Sequence, residues 1–185
     1  MKTTKKVFRK MIQLNLLVLF VIATQSCETE IPPEDPTPPE FVLQIRGDGF
    51  FHEFNQDSDF DNIELKLIRS KTYDFIYMGS DEGGIDRVQW NILPARKITI
   101  TSNIPAPWIS SYVNDNQNII WKGDRSNPKT ASAFDGSFFA PYDRHTIVFR
   151  FNVTDFGGET TNPNEITKEL TISTGNIGHE GVVNL

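Results

Sequence analysis

Residues 145–161 read HTIVFRFNVTDFGGETT. Ile147, Phe149, Phe151 and Val153 fall on one side of a two-residue period. Val148, Arg150 and Asn152 fall on the other. That alternation marks a half-buried antiparallel strand. The Gly157–Gly158 pair then breaks it, because glycine readily takes the backbone angles a tight turn needs. A second apolar stripe, Ile166, Leu170 and Ile172, follows. The stretch therefore reads as two strands joined by a glycine-rich turn.

The same period extends outward from it. Phe41, Leu43 and Ile45 share one face of 41–45, and Ile63, Leu65 and Leu67 share one face of 63–67. Val88, Trp90 and Ile92 alternate with Arg87, Gln89 and Asn91, and residues 72–78 and 97–101 complete the set. No window shows a 3.6-residue period beyond the leader. At least seven short strands separated by Gly, Asn and Pro predict an all-β protein, a single antiparallel sandwich. A second glycine-rich turn, Gly79-Ser80-Asp81-Glu82-Gly83-Gly84, separates the strands at 72–78 and 85–92.

The pattern of SDEGGI leading into a strand with Trp90, followed later by VTDFGGETT, resembles bacterial Ig-like and cadherin-like modules over roughly 63–173. The resemblance implies an Ig-like sandwich with Trp90 in its core. It also implies that the two glycine-rich turns lie at one end of the domain. Asp81, Glu82 and Asp86 would then approach Asp155 and Glu159. Converging carboxylates repel unless a cation or hydrogen bonds compensate, so these five residues are candidate calcium ligands. The same residues also suit plain turn chemistry, with Asp capping and Gly supplying positive φ. Asp57-x-Asp59-x-Asp61 has the oxygen density of a calcium loop, yet Asn62 and Ile68 stand where an EF-hand needs Gly and Glu. It reads as a solvated acidic loop.

Residues 102–144 do not fit the standard module. So long a structureless loop would be unusual, so short strands and an elaborated loop are expected there. Trp108, Trp121 and Tyr112 lie in this segment. An exposed ring would offer a platform for a sugar face or a protein partner; an inward ring would give the segment a small core of its own. Residues 176–185 lack pattern and are expected to form a loose tail, leaving 41–175 as the domain.

The beginning of the chain concerns placement in the cell. Lys2, Lys5, Lys6, Arg9 and Lys10 precede an apolar run from Met11 to Ala23, too short for a spanning helix and ordered like a secretory signal. Thr24-Gln25-Ser26 then leads to Cys27, the one cysteine. This resembles the bacterial lipoprotein lipobox, with Thr24 and Ser26 at positions usually held by Leu and by Ala or Gly. Relaxed versions are typical of Bacteroidota lipoproteins. The resemblance implies removal of 1–26, lipid on Cys27 and attachment to the outer membrane. Glu28 and Glu30 are similar to the acidic signal that sends such proteins to the cell surface. Ordinary signal cleavage that leaves a free thiol is the alternative. Residues 27–40 are rich in proline and acid, too poor in apolar content to pack, and read as an extended tether.

Charge and motif content narrow the function. Five of the 18 bases and none of the 24 acids precede Cys27, so the chain from there on carries 13 bases against 24 acids, a net of −11. Such a surface repels phosphate backbones, which makes nucleic acid an unsuitable partner. A single cysteine precludes an internal disulfide and a Cys-rich zinc site. His52, His145 and His179 have no metal-type spacing, no G-x-S-x-G occurs, and no feature pairs two carboxylates as acid and base. The expectation is a non-enzymatic envelope protein, anchored by lipid, that binds a glycan or adheres. The alternative is a structural or assembly subunit that meets another envelope protein.

Overall fold

A computed structural model describes residues 31, 32, 34–141, 144–175, 178 and 180–185. The leader, Cys27 and His179 lie outside the described residues. Among the described residues, twelve strands form two stacked sheets. In chain order they are β1 (Glu40–Gly47), β2 (Phe50–Asn55), β3 (Ile63–Ile68), β4 (Lys71–Ser80), β5 (Ile85–Leu93), β6 (Thr99–Ile100), β7 (Ile109–Val113), β8 (Asn116–Lys122), β9 (Ala131–Ala140), β10 (His145–Asp155), β11 (Glu165–Gly175) and β12 (Gly181–Asn184). One sheet has the order β2-β1-β4-β9-β6 and the other β12-β3-β11-β10-β5-β8-β7. Every pairing is antiparallel except β3 with β11. The chain is an all-β sandwich, as its two-residue period predicts.

The alternation decides which side chains meet between the sheets. Phe41, Leu43 and Ile45 of β1 face Phe149, Phe151 and Val153 of β10 across a shared core. Trp90 is fully buried at its centre. Its ring meets Phe75 and Phe149 edge-on, each with centroids 4.8 Å apart, a favoured aromatic geometry. Near one end the sheets approach too closely for a side chain. A Cβ on Gly79 would lie 2.8 Å from Val88 and 3.0 Å from Val153. Glycine there lets the β4–β5 and β10–β11 turns draw together.

Three segments differ from the sequence reading. Residues 102–144 hold strands, as expected, but these belong to the framework: β8 joins the seven-stranded sheet, and β9 lies beside β4 in the other. Their mixed polar and aromatic composition hid the alternation, because β9 buries only Phe134, Phe138 and Ala140. The C-terminal residues are not a loose tail. β12 pairs with β3 from Gly181↔Lys66 to Asn184↔Ile63. Just before it, Glu180 accepts hydrogen bonds from Lys71 Nζ at 3.0 Å and Tyr73 Oη at 3.1 Å. Finally, part of the tether folds back. Asp35 and Pro39 are buried, and the described residues of 31–39 form a strap across the end of the sandwich that carries the two glycine-rich turns.

Candidate functional site

At that end of the molecule the two glycine-rich turns and the strap meet, with the β8–β9 connection alongside, where Thr130 O accepts from Asp81 N at 2.8 Å. Phe156 N–H donates to Gly84 O at 3.0 Å, which locks the β10–β11 turn onto the β4–β5 turn. The strap crosses both. Glu159 N–H donates to Pro32 O at 3.0 Å, and Asn164 Nδ2 donates to Asp35 O at 2.9 Å. Asp35 N–H donates to Thr161 Oγ1 at 3.2 Å. Gly83 lies under the strap, where a Cβ would stand 2.3 Å from Asp35 Oδ2 and 3.1 Å from Pro32 Cδ. A glycine is required there by space.

The result is a buried carboxylate cluster. Asp35, Asp81 and Asp155 each place an oxygen within 4.8 Å of the others. Asp155 is fully buried and well satisfied: Oδ1 accepts from Gly157 N and Asn164 N, both at 2.7 Å, and Oδ2 from Asn164 Nδ2 at 2.9 Å. Three donors thus satisfy both of its oxygens. Asp81 Oδ1 accepts from Gly83 N at 2.8 Å, and Asp35 Oδ1 accepts from Thr37 N at 3.0 Å. Burial, and then the neighbouring Asp35 carboxylate, push the Asp81 carboxyl up to about 6. Chemically the cluster has two ways to balance its charge: a proton shared between Asp81 and Asp35, or a cation. The donor set fits a hard cation in type but falls short of the roughly six to eight oxygens calcium prefers.

Of the five sequence-derived metal candidates, Asp81 and Asp155 meet. Glu82 and Glu159 are exposed. Asp86 is not part of that cluster, although it lines a cleft of about 460 Å³ together with Asp155, Arg125 and Phe156. Asp35 was missed because composition assigns it to a tether, and no local pattern announces contacts to positions more than a hundred residues away. The Asp57–Asp61 loop is a capped turn, in which Asn62 Nδ2 donates to both Asp59 oxygens at 3.0 Å.

The aromatic candidates separate. Trp108 is 6% exposed and Trp121 8%. Trp108 Nε1 donates to Ala133 O at 3.2 Å, and its ring packs 5.5 Å from Phe134. Both tryptophans belong to the main core, so neither offers a platform; burial of large aromatics is the general rule. Tyr112 is 68% exposed, on β7.

A different surface has the character sought from those rings. On the outer face of the five-stranded sheet, cross-strand register makes two rows. Phe51, Arg46, Asp74 and Ser137 form one; Glu53, Gln44, Ile76 and Asp135 form the other. All of them but Glu53 line a shallow trough of about 410 Å³. Phe51 is 53% and Ile76 42% exposed within this polar setting. The Arg46 guanidinium carbon lies 5.8 Å from the Phe51 ring centre, and Gln44 Nε2 donates to Glu53 Oε2 at 2.8 Å. One flat aromatic ring and an aliphatic side chain beside carboxylates, an amide and a guanidinium suit a ligand with a C–H face and many hydroxyls.

No protein-family model matches the chain, and no curated protein does. Among solved structures it is similar to a cohesin module from a Clostridium perfringens family 33 glycoside hydrolase, at 10% identity and a TM-score of 0.37 over 61% of this chain and 96% of that one. It is also similar to the C-terminal domain of Wzt, at 14% identity and a TM-score of 0.37 over 83% of this chain and 88% of that one.

Proposed function

We propose that this chain is a non-enzymatic, lipid-anchored cell-envelope protein that captures glycans through the outer face of its five-stranded sheet. The observation that carries the reading is the trough around Phe51. An exposed aromatic ring stacks on the apolar face of a sugar, while Asp74, Asp135, Gln44 and Arg46 match its hydroxyls. The lipid anchor rests on the place of Cys27 between an apolar leader and an acidic, proline-rich segment. Several acyl chains on one residue give a stable attachment. Calcium is the candidate cation for Asp35, Asp81 and Asp155, where it would fasten the strap.

The test is a glycan array followed by calorimetry, using the chain from position 27 with Cys27→Ala. Phe51→Ala and Asp135→Ala should each weaken the best glycan tenfold or more without moving the melting temperature. Undiminished binding by both variants would remove the trough from consideration. For the anchor, a fatty-acid probe should label cells producing the wild-type chain and not Cys27→Ala.

A further inference from the structure

The two sheets have four edges, and three of them are blunted. β6 has two residues and β12 four, while β2 carries His52 and Glu53. The fourth, β7, is different. Its sequence is ISSYV, and all five residues are exposed. Ile109, Tyr112 and Val113 are each more than 60% exposed. Among the described residues nothing pairs with its outer side, since β7 ends the sheet and bonds only to β8. Proteins commonly protect such edges with charge, proline or bulges; β7 has none within it. Its geometry is also held. Asn114 and Asp115 both have positive φ, 48° and 60°, the signature of a tight hairpin turn whose twist matches its strands. Asp115 is further fixed by an ion pair with Arg96.

We propose that β7 is a self-association edge, where two copies of this chain pair β7 against β7 about a two-fold axis through Ser111. Charge and register both select a second copy. Positions 98–114 contain no charged residue, and Asp115 is neutralised by Arg96. Two copies that each carry a net −11 repel, so they meet best where the surface is neutral. The strand is also self-complementary. A two-fold at Ser111 places Ile109 opposite Val113 twice on one face, with Ser111 facing Ser111 between them. On the other face Ser110 lies opposite Tyr112 twice. Apolar cross-strand pairs of this kind stabilise a sheet, and no like charges are opposed. The two seven-stranded sheets would become one continuous sheet, through an isologous contact that closes at two.

Five residues per copy make a small interface, so association is weak, at the low end for protein contacts. Sedimentation of the chain from position 27 with Cys27→Ala, from about 1 to about 500 μM, covers that range. The average mass should rise from one chain towards two. Ser111→Lys should hold it at one chain, with the melting temperature unchanged because Ser111 is exposed. A cysteine scan tests the register independently of folding. Directly opposed residues have Cα atoms about 4.5–5.5 Å apart, within disulfide range. Ser111→Cys should therefore cross-link rapidly on mild oxidation. Ser110→Cys should not, because its symmetry mate lies about two residues along the strand, near 8 Å away. A mass of one chain throughout, or equal cross-linking at both positions, would overturn the proposal. Monomer that captures an unrelated protein's strand would assign the edge to a foreign partner and overturn it equally.

Discussion

Replacing Asp81 by Asn should stabilise the protein at neutral pH. The Asp81 carboxyl titrates at about 6 in the folded chain against an ordinary 3.8, because burial and then Asp35 oppose its charge. The folded state thus holds a proton that the unfolded state has already released. Stability from this group is fully present below about pH 4 and is lost as pH rises through about 6. The interval from 3.8 to about 6 corresponds to about 3 kcal/mol. Solvent at the rim of the strap screens part of it, which leaves about 1.5 kcal/mol. Asparagine keeps the oxygen that accepts from Gly83 N, and it offers Asp35 an N–H in place of the shared proton. Asp81→Asn should therefore gain only about 0.5 kcal/mol at pH 4.5 and about 1.5 kcal/mol at pH 7.5. For a chain of this size that is a rise of about 3–6 °C in Tm. Scanning calorimetry of both proteins in chelator, at both pH values, reads the difference of differences, in which other titrating groups cancel. Equal Tm differences at the two pH values, or a loss at pH 7.5, would refute the reasoning. Millimolar calcium should raise the wild-type Tm at pH 7.5 by mass action and leave Asp81→Asn nearly unmoved.

Trp108→Ala and Trp121→Ala should each cost about 3–5 kcal/mol in denaturant unfolding, as expected for removing a buried tryptophan, while exposed Tyr112→Ala should change stability by less than about 0.5 kcal/mol. Gly83→Ala should detach the strap, because its Cβ meets Asp35 and Pro32; limited proteolysis would then cut near residues 31–39 in the variant and spare the wild type. Glu180→Ala removes the acceptor for Lys71 and Tyr73 and should cost about 1–2 kcal/mol, with faster amide exchange in β12 as its signature.

Much of the sandwich was legible because a strand with one buried face must alternate. Ile147 to Val153 and Val88 to Ile92 announced themselves in this way, and Trp90 was placed in the core on the same ground. The turns carrying Asp81 and Asp155 were legible through their glycines. Asp35 was not, because its burial depends on Asn164 and Thr161, far along the chain. The strand at β7 was also obscure: with both faces solvated, ISSYV has no reason to alternate. The trough escaped notice because its residues come from four strands, and only cross-strand register brings Phe51 beside Arg46 and Asp74.

If Cys27 carries the proposed lipid, the strap also limits how far the domain can travel from that anchor. An unpacked segment from Cys27 to Glu40 would reach about 40 Å in extended form. With the strap seated, only the four links from Cys27 to Ile31 remain, and these span at most about 14 Å. A lipid on Cys27 would then hold the Asp81 end within a headgroup's width or so of the bilayer, with the sheets rising away from it. Release of the strap would lengthen the leash nearly threefold.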